Sequence, residues 1–183
     1  MPRERGTISE DLTKRRRRVE FSEFEKLLRE CQDRIYNLCR YMVRDPQEAQ
    51  DAAQDAFLKA FKCLGDFRPE ASLYTWLYRI AVNTCLDYMK KKRPMPVINE
   101  LGEERPSAEP SPEKVYESKE ITEAIQWALQ KLPKKLRPAI VLREIDGLSY
   151  EEIAEILAIS IGTVKSRISR AREELRRILL KRL

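Results

Sequence analysis

A proline-rich acidic segment constrains this chain more than any other feature. Residues 94–118 read PMPVINELGEERPSAEPSPEKVYES and hold Pro94, Pro96, Pro106, Pro110 and Pro112, half of the chain's 10 prolines. Proline removes a backbone donor and disfavours helix in the residue before it, so the spacing predicts an extended, flexible linker. Six acidic against two basic residues give the segment a net charge of −4, which repels nucleic acid and favours a basic surface. The linker leaves residues 21–93 and 119–183 as two small domains, preceded by a basic extension at 1–20. Neither half resembles the other, and no internal repeat is visible.

Both halves carry the helical period. Phe21, Phe24, Leu27, Leu28, Ile35, Leu38 and Met42 recur at three-, four- and seven-residue spacings. Pro46 suits the first turn of a next helix, predicted over about 47–64 with Ala49, Ala52, Ala53, Ala56, Phe57, Ala60 and Phe61 inward. A loop from Gly65 to Glu70 precedes a long helix over about 71–92. In the second half Ile121, Ala124, Ile125, Ala128, Leu129 and Leu132 form one stripe that Pro133 stops, and a further helix begins near Pro138. With 5 glycines and no period-2 alternation, a sheet protein or a glycine-loop nucleotide fold is excluded. The expected class is all-α, two small helical domains joined by a linker.

Composition narrows the chemistry. The chain has 0 histidines, so the commonest general base and the commonest metal ligand are both missing. Cys31, Cys39, Cys63 and Cys85 form no C-x-x-C pair, so zinc is not expected. They read as free, mostly buried thiols of a reducing cytoplasm. No catalytic constellation, metal site or cofactor site is expected. No apolar run is long enough to span a bilayer, and MPRERGTISEDLTKRRRR lacks the apolar core of a secretory signal.

The segment from Ser149 to Arg170 fits a helix-turn-helix. Ser149 and Glu152 have the spacing of a capping box opening a short helix. Ala158, Ile159 and Ser160 make the turn before a long last helix. Ala158 stands where many such motifs carry glycine, because the backbone there needs φ > 0. Ile161, Val164, Ile168, Ala171, Leu175 and Ile178 share one face of the last helix. Gly162, Ser166, Ser169, Arg170 and Glu173 face the other way, flanked by Thr163 and Lys165. Residues 160–183 hold eight basic and two acidic residues. That face suits a DNA major groove, where arginine bonds a guanine edge and serine a phosphate.

In the first half, aromatics gather beside arginines between Phe67 and Asn83. Trp76, Ile80, Asn83 and Asp87 fall on one helical stripe, with Arg68, Tyr74, Tyr78 and Arg79 close by. Two readings stay open on spacing alone: a packed core, or a platform on which unpaired bases stack while arginines track phosphates.

The strings TWLYRIAVNTCLDYMKKKRP, DAAQDAFLKAF, LREIDGLSYEEIAEIL and GTVKSRISRAREEL together resemble the extracytoplasmic-function (ECF) group of the sigma-70 family of bacterial RNA polymerase. The resemblance covers residues 21–183 and the family's domain order, region 2 then region 4. It implies an alternative sigma factor that directs core polymerase to specific promoters by −35 recognition and −10 melting. It implies that Asp51, Gln54, Asp55 and Lys59 dock on the β′ clamp. Lys62, Phe67, Arg68, Tyr74, Trp76, Arg79 and Asn83 would take the −10 element, with a flipped base at Phe67, Arg68 and Asn83. Lys90, Lys91, Lys92 and Arg93 would touch phosphates, and Thr163, Lys165, Ser166, Ser169 and Arg170 would read the −35 element.

Its implied partners are core RNA polymerase (β′ clamp and β flap), promoter DNA and an anti-sigma factor, membrane-associated as in relatives and released on stress. Many members carry arginine at Lys165 and an aromatic at Ser169, so the −35 preference does not transfer. The run Arg15 to Arg18 reads either as a DNA- or polymerase-contacting arm or as a disordered tail. Rival classes are a ligand-sensing stand-alone repressor or activator and a protein-only adaptor. The first needs an interior pocket and a dimer interface, and the sequence shows neither; duplex binding separates the second.

Overall fold

The computed structural model describes residues 21–67, 72–91 and 112–181, the side chains within 22–67, 72–91 and 121–181. Seven α-helices follow in order among them, with no strand: α1 Phe21–Met42, α2 Pro46–Cys63, α3 Leu73–Lys91, α4 Pro112–Lys131, α5 Arg137–Glu144, α6 Tyr150–Leu157 and α7 Ile161–Leu180. A short 3-10 turn, Leu64–Asp66, follows α2. The all-α class stands as the sequence predicts among the described residues.

Helices α1, α2 and α3 form the first domain. Asp45 caps α2, its side chain accepting the Glu48 N–H at 3.0 Å, and Pro46 sits in the first turn. Ala49, Ala52, Ala53, Ala56 and Ala60 are buried along a narrow seam, and their small side chains let α2 approach its neighbours closely. Phe61 departs from expectation. It lies about 100° round the helix from Ala60 and is 55% exposed. Phe24, Ile35, Leu38 and Met42 of α1 meet Leu77, Tyr78, Ala81, Val82 and Cys85 of α3 in a fully enclosed core. Burying each such large side chain stabilises by roughly 1.5–3 kcal/mol. Cys31, Cys39 and Cys85 are buried, with the Cys39 and Cys85 sulfurs 3.3 Å apart, whereas Cys63 is exposed.

The second domain is built from α4 to α7. Helix α4 begins at Pro112, inside the stretch expected to be extended linker. Proline fits a helix's first position, where its missing N–H costs nothing, so proline density alone set the linker's end too late. Ala128, Leu129 and Leu132 are buried as expected, but Ile121 and Ile125 of the same stripe are exposed. Ile161 is likewise 39% exposed at the open end of α7, while Val164, Ile168, Ala171 and Ile178 are buried. Arg172 ties α7 to α5 through Glu144 at 2.6 Å.

The two domains pack on each other, which the sequence reading does not anticipate. Helix α3 lies against α6, and α1 against α4 and α5. Basic side chains reach across to carbonyls at helix ends and in a turn. Arg137, only 4% exposed, donates to the Met42 carbonyl at the end of α1 at 2.7 Å, and Lys134 donates to Met89 O in the last turn of α3. From the first domain, Arg34 donates to Asp146 O at 2.8 Å and Arg79 to Glu155 O at 2.6 Å. The last carbonyls of a helix have no partner within it and carry its negative dipole end, so cations satisfy them well.

Candidate nucleic-acid interface

Helix α6 opens on Ser149. Its hydroxyl accepts the Glu152 N–H at 3.2 Å, and the Glu152 carboxylate accepts the Ser149 N–H at 2.7 Å. These two bonds complete the capping box, and the Ser149 N–H together with the Ser149 hydroxyl, which donates to Glu152 Oε2 at 2.8 Å, holds the Glu152 carboxyl below its usual range. The helix ends in Ala158 at φ 52°, ψ 48°, a left-handed cap on a residue with a β-carbon. The expected positive φ is present without glycine. The conformation costs roughly 1–2 kcal/mol, offset by the cap bonds from the Ala158 N–H to the carbonyls of Ala154 and Glu155.

Ser160 then caps α7, a signal missed in the sequence although serine just before an apolar period announces it. Its hydroxyl accepts the Thr163 N–H at 3.2 Å and lies 2.9 Å from the Thr163 hydroxyl. Buried Val164 and Ile168 fix the rotation of α7, which turns Lys165, Ser166, Ser169 and Arg170 to solvent. Thr163 is half-buried, and Ser166 donates its hydroxyl to Thr163 O at 3.0 Å. Of these five residues, Lys165 and Arg170 bring full positive charge, and a helix about 30 Å long is narrow enough to enter a major groove.

The aromatic-basic helix is α3. Ser72 caps it, accepting the Thr75 N–H at 3.0 Å. Trp76 is half-buried, edge-on to Phe67 at 5.4 Å and to Phe24 at 6.4 Å between ring centroids. It packs, and it also supports Phe67. Tyr74 tilts over Tyr78 at 4.5 Å, and the Arg34 guanidinium lies 5.5 Å from the Tyr74 ring. Asn83 and Lys62 are exposed. Arg79 is spent on the Glu155 carbonyl. Arg68 lies outside the described residues, as do Lys92, Arg93 and the run Arg15 to Arg18. Lys90 and Lys91 are exposed in the last turn of α3, Lys90 paired with Asp87 and Lys91 over the Tyr88 ring.

On α2, Asp51 and Gln54 are exposed on the side away from the alanine seam, and Lys59 is exposed at the seam's edge beside α3. Lys59 donates to the Thr84 hydroxyl at 3.1 Å, and Asp55 accepts from the Tyr88 hydroxyl at 2.8 Å. Leu58 and Phe61, 56% and 55% exposed, lie among them. Sequence reasoning passed over Leu58 and set Phe61 inward. The result is an apolar surface ringed by charge, the composition of a protein-docking patch.

Two helical domains, the second ending in a capped helix-turn-helix with a basic outer face, define a DNA-binding transcription factor. The family comparisons sharpen that class. Residues 27–94 match Sigma-70 region 2 and residues 122–175 match Sigma-70, region 4. The chain is 38% identical to the RNA polymerase sigma-H factor of Pseudomonas aeruginosa over 93% of each. It is 42% identical to the ECF RNA polymerase sigma factor SigW of Bacillus subtilis, over 80% of this chain and 83% of that one. It is also 42% identical to the ECF RNA polymerase sigma-E factor of Escherichia coli, over 69% and 71%.

Among solved structures, CnrH in complex with the cytosolic domain of CnrY matches with a TM-score of 0.67 at 25% identity, over 88% of this chain and 90% of that one. The sigma factor RpoE bound to the anti-sigma factor NepR, from Bartonella quintana, matches with a TM-score of 0.67 at 25% identity, over 86% and 96%. The chain belongs to the ECF sigma factors of the sigma-70 family. It is an alternative sigma factor, directing RNA polymerase to specific promoters. No described helix is long and apolar enough to cross a membrane.

Proposed function

We propose that the chain divides promoter recognition between its domains. Thr163, Lys165, Ser166, Ser169 and Arg170 read the −35 duplex. Lys62, Phe67, Arg68, Tyr74, Trp76, Arg79 and Asn83 take the unpaired −10 strand, and Lys90, Lys91, Lys92 and Arg93 follow its phosphates. The observation that carries the reading is the outer face of α7, where Lys165, Ser166, Ser169 and Arg170 are all exposed on the second helix of a capped helix-turn-helix. Lys165 and Arg170 can reach guanine edges, each good bidentate pair being worth about 1–3 kcal/mol of discrimination. Opening the −10 duplex costs a few kcal/mol per step, offset by stacking of bases on aromatic faces at about 1–3 kcal/mol per base.

Asp51, Gln54, Asp55 and Lys59 bind the β′ clamp, with Leu58 and Phe61 adding apolar area at the centre of the patch. The second domain meets the β flap. The factor works in the cytoplasm, catalyses nothing itself, and needs no cofactor. An anti-sigma factor, membrane-associated, sequesters it until stress releases it; two structural neighbours bound to CnrY and to the anti-sigma factor NepR support that partner.

The test is co-elution of the full chain with bacterial core polymerase, followed by run-off transcription from a promoter library. Stoichiometric association and promoter-specific transcripts are expected. Tight duplex binding without association with core would move the assignment to a stand-alone regulator.

A further inference from the structure

We propose that the basic run from Lys14 to Arg18 is a phosphate-binding arm that grips the promoter backbone beside the proposed −10 face. The inference rests on the −10 assignment above and extends that site. Lys14, Arg15, Arg16, Arg17 and Arg18 are five consecutive cations, with no acidic or apolar residue among them. They lie outside the described residues, and their covalent connection to α1, which starts at Phe21, fixes where they enter the fold. A chain spans at most about 3.6 Å per residue, so the Arg18 backbone lies within about 11 Å of that point and the Lys14 backbone within about 25 Å.

That point is the aromatic end of the first domain. Phe24, in the first turn of α1, stands 6.4 Å from Trp76, and Trp76 stands 5.4 Å from Phe67, edge-on in both cases. The start of α1, the start of α3 and the turn after α2 therefore meet at the rings proposed to take the unpaired strand. The other end of α1 is about 30 Å away at 1.5 Å per residue, where Arg137 holds the Met42 carbonyl. A reach of about 25 Å is about seven base pairs at 3.4 Å each, so the arm's contacts fall on phosphates flanking the −10 element.

The aromatic end is short of free cations. Lys26 and Arg29 of α1 pair with Glu30 and Glu25 of the same helix at 3.8 and 2.6 Å. Arg34 donates to Asp146 O, and Arg79 to Glu155 O. Lys90 and Lys91 sit in the last turn of α3, about 20 Å from Trp76 along the helix. Of the described cations proposed for the −10 strand, this leaves Lys62 exposed near the rings. Stacked rings hold bases but do not neutralise the charge that each nucleotide carries. The run supplies that charge where the described residues supply least. Guanidinium forks bond phosphate oxygens in pairs, whereas a protein-docking segment centres on an apolar or aromatic anchor, which the run lacks. Phosphate contacts carry no sequence information, so the arm adds affinity without promoter preference.

The test uses the holoenzyme, core polymerase with the full chain, on a promoter selected from the library and on the same fragment with its −10 element scrambled. The parent is compared with Arg15→Ala/Arg16→Ala/Arg17→Ala/Arg18→Ala and with the same four positions changed to Lys. Each lost phosphate contact removes about 0.9 from the slope of log K against log salt on a duplex, or about 0.7 on a single strand. The alanine variant is expected to show a slope shallower by about 1.4–3.6, for two to four lost contacts, on both fragments, and to bind core without DNA as the parent does. The lysine variant keeps the charge and should keep most of the slope. An iron-chelate cleavage reagent on Thr13→Cys, in a Cys63→Ser chain whose other cysteines are buried, should cut the DNA beside the −10 element. An unchanged slope, cuts centred on the −35 element, or a lysine variant as shallow as the alanine one would overturn the inference. Weakened association with core at an unchanged slope would overturn it too and assign the run to the polymerase. If Asn83→Ala still distinguished the two fragments as the parent does, the −10 assignment would fail, and the slope difference between parent and alanine variant would not register that failure.

Discussion

The two faces proposed to read the promoter differ in how they are held. The proposed −35 face on α7 is open: Lys165, Ser166, Ser169 and Arg170 are exposed on a helix oriented by buried Val164 and Ile168. The proposed −10 face on α3 is partly spent on internal contacts, with Trp76 packed, Tyr74 stacked and Arg79 bound to a carbonyl of the other domain. A duplex groove can be read by a rigid helix as it stands. An unpaired strand needs rings and cations that a closed molecule has already engaged. On the proposed assignment, the face with the costlier task is the one whose side chains the fold has partly engaged, while Lys62 and Asn83 stay exposed.

The largest expected effect breaks the comparison at its base. Ile168→Ala empties a fully enclosed site under α7 and should cost about 2–5 kcal/mol, enough to disorder a small domain. Chemical denaturation would show it, and −35-dependent transcription should vanish while a pre-melted −10 template keeps residual activity. Next, Arg170→Ala should weaken −35-dependent transcription about five- to 150-fold, from about 1–3 kcal/mol, and leave the fold intact. Circular dichroism paired with run-off assays separates those outcomes. An equal loss on a template lacking the −35 element would contradict the division of labour.

Acidity sharpens the comparison further. Burial pushes the Asp146 carboxyl up from 3.8 to about 6 where the domains pack together, against the opposing pull of Arg34 and the Tyr78 hydroxyl. Tyr74 and Tyr78 of α3 and Arg34 of α1 are the groups that face it, and Glu152 of α6 also faces Arg34. A raised carboxyl favours the protonated, closed state. Its contribution to closure is complete below about 4 and is lost as pH rises through about 6. Energy transfer in the free chain, between dyes on the exposed Cys63 thiol and on Glu173→Cys, should therefore be higher at pH 5.5 than at 7.5, and Asp146→Asn should flatten that difference. A profile unchanged by Asp146→Asn would remove this group from the closure. The smallest effect is at the turn: Ala158→Gly relieves a positive φ and should raise the melting temperature of the second domain, by about 0.5–1 kcal/mol of stability after the unfolded-state penalty.

Much of the geometry of the proposed −35 face was legible residue by residue. The capping pair Ser149 and Glu152, the three-residue turn and the face carrying Lys165 and Arg170 follow from local spacing, and local hydrogen bonds enforce them. The proposed −10 face was less legible. Aromatics at helical spacing serve a core and a base platform equally well, and Trp76 lies between the two, half-buried and in contact with Phe24 and Phe67. Phe61 and Leu58 were misread or missed, because an alanine seam packs so closely that large neighbours are turned outward.

The sequence by itself determined the helices, their caps, the order of two small domains and the family to which they belong. These rest on interactions within a few residues, where spacing and side-chain type suffice. Only the tertiary structure decided that the domains close on one another. Arg34, Arg79, Lys134 and Arg137 each find a backbone carbonyl in the other domain. Every residue offers that same acceptor, so no pattern of residue types announces which one an arginine will choose. The choice is made by the geometry of helix ends, where carbonyls left without partners meet the cations that packing brings to them.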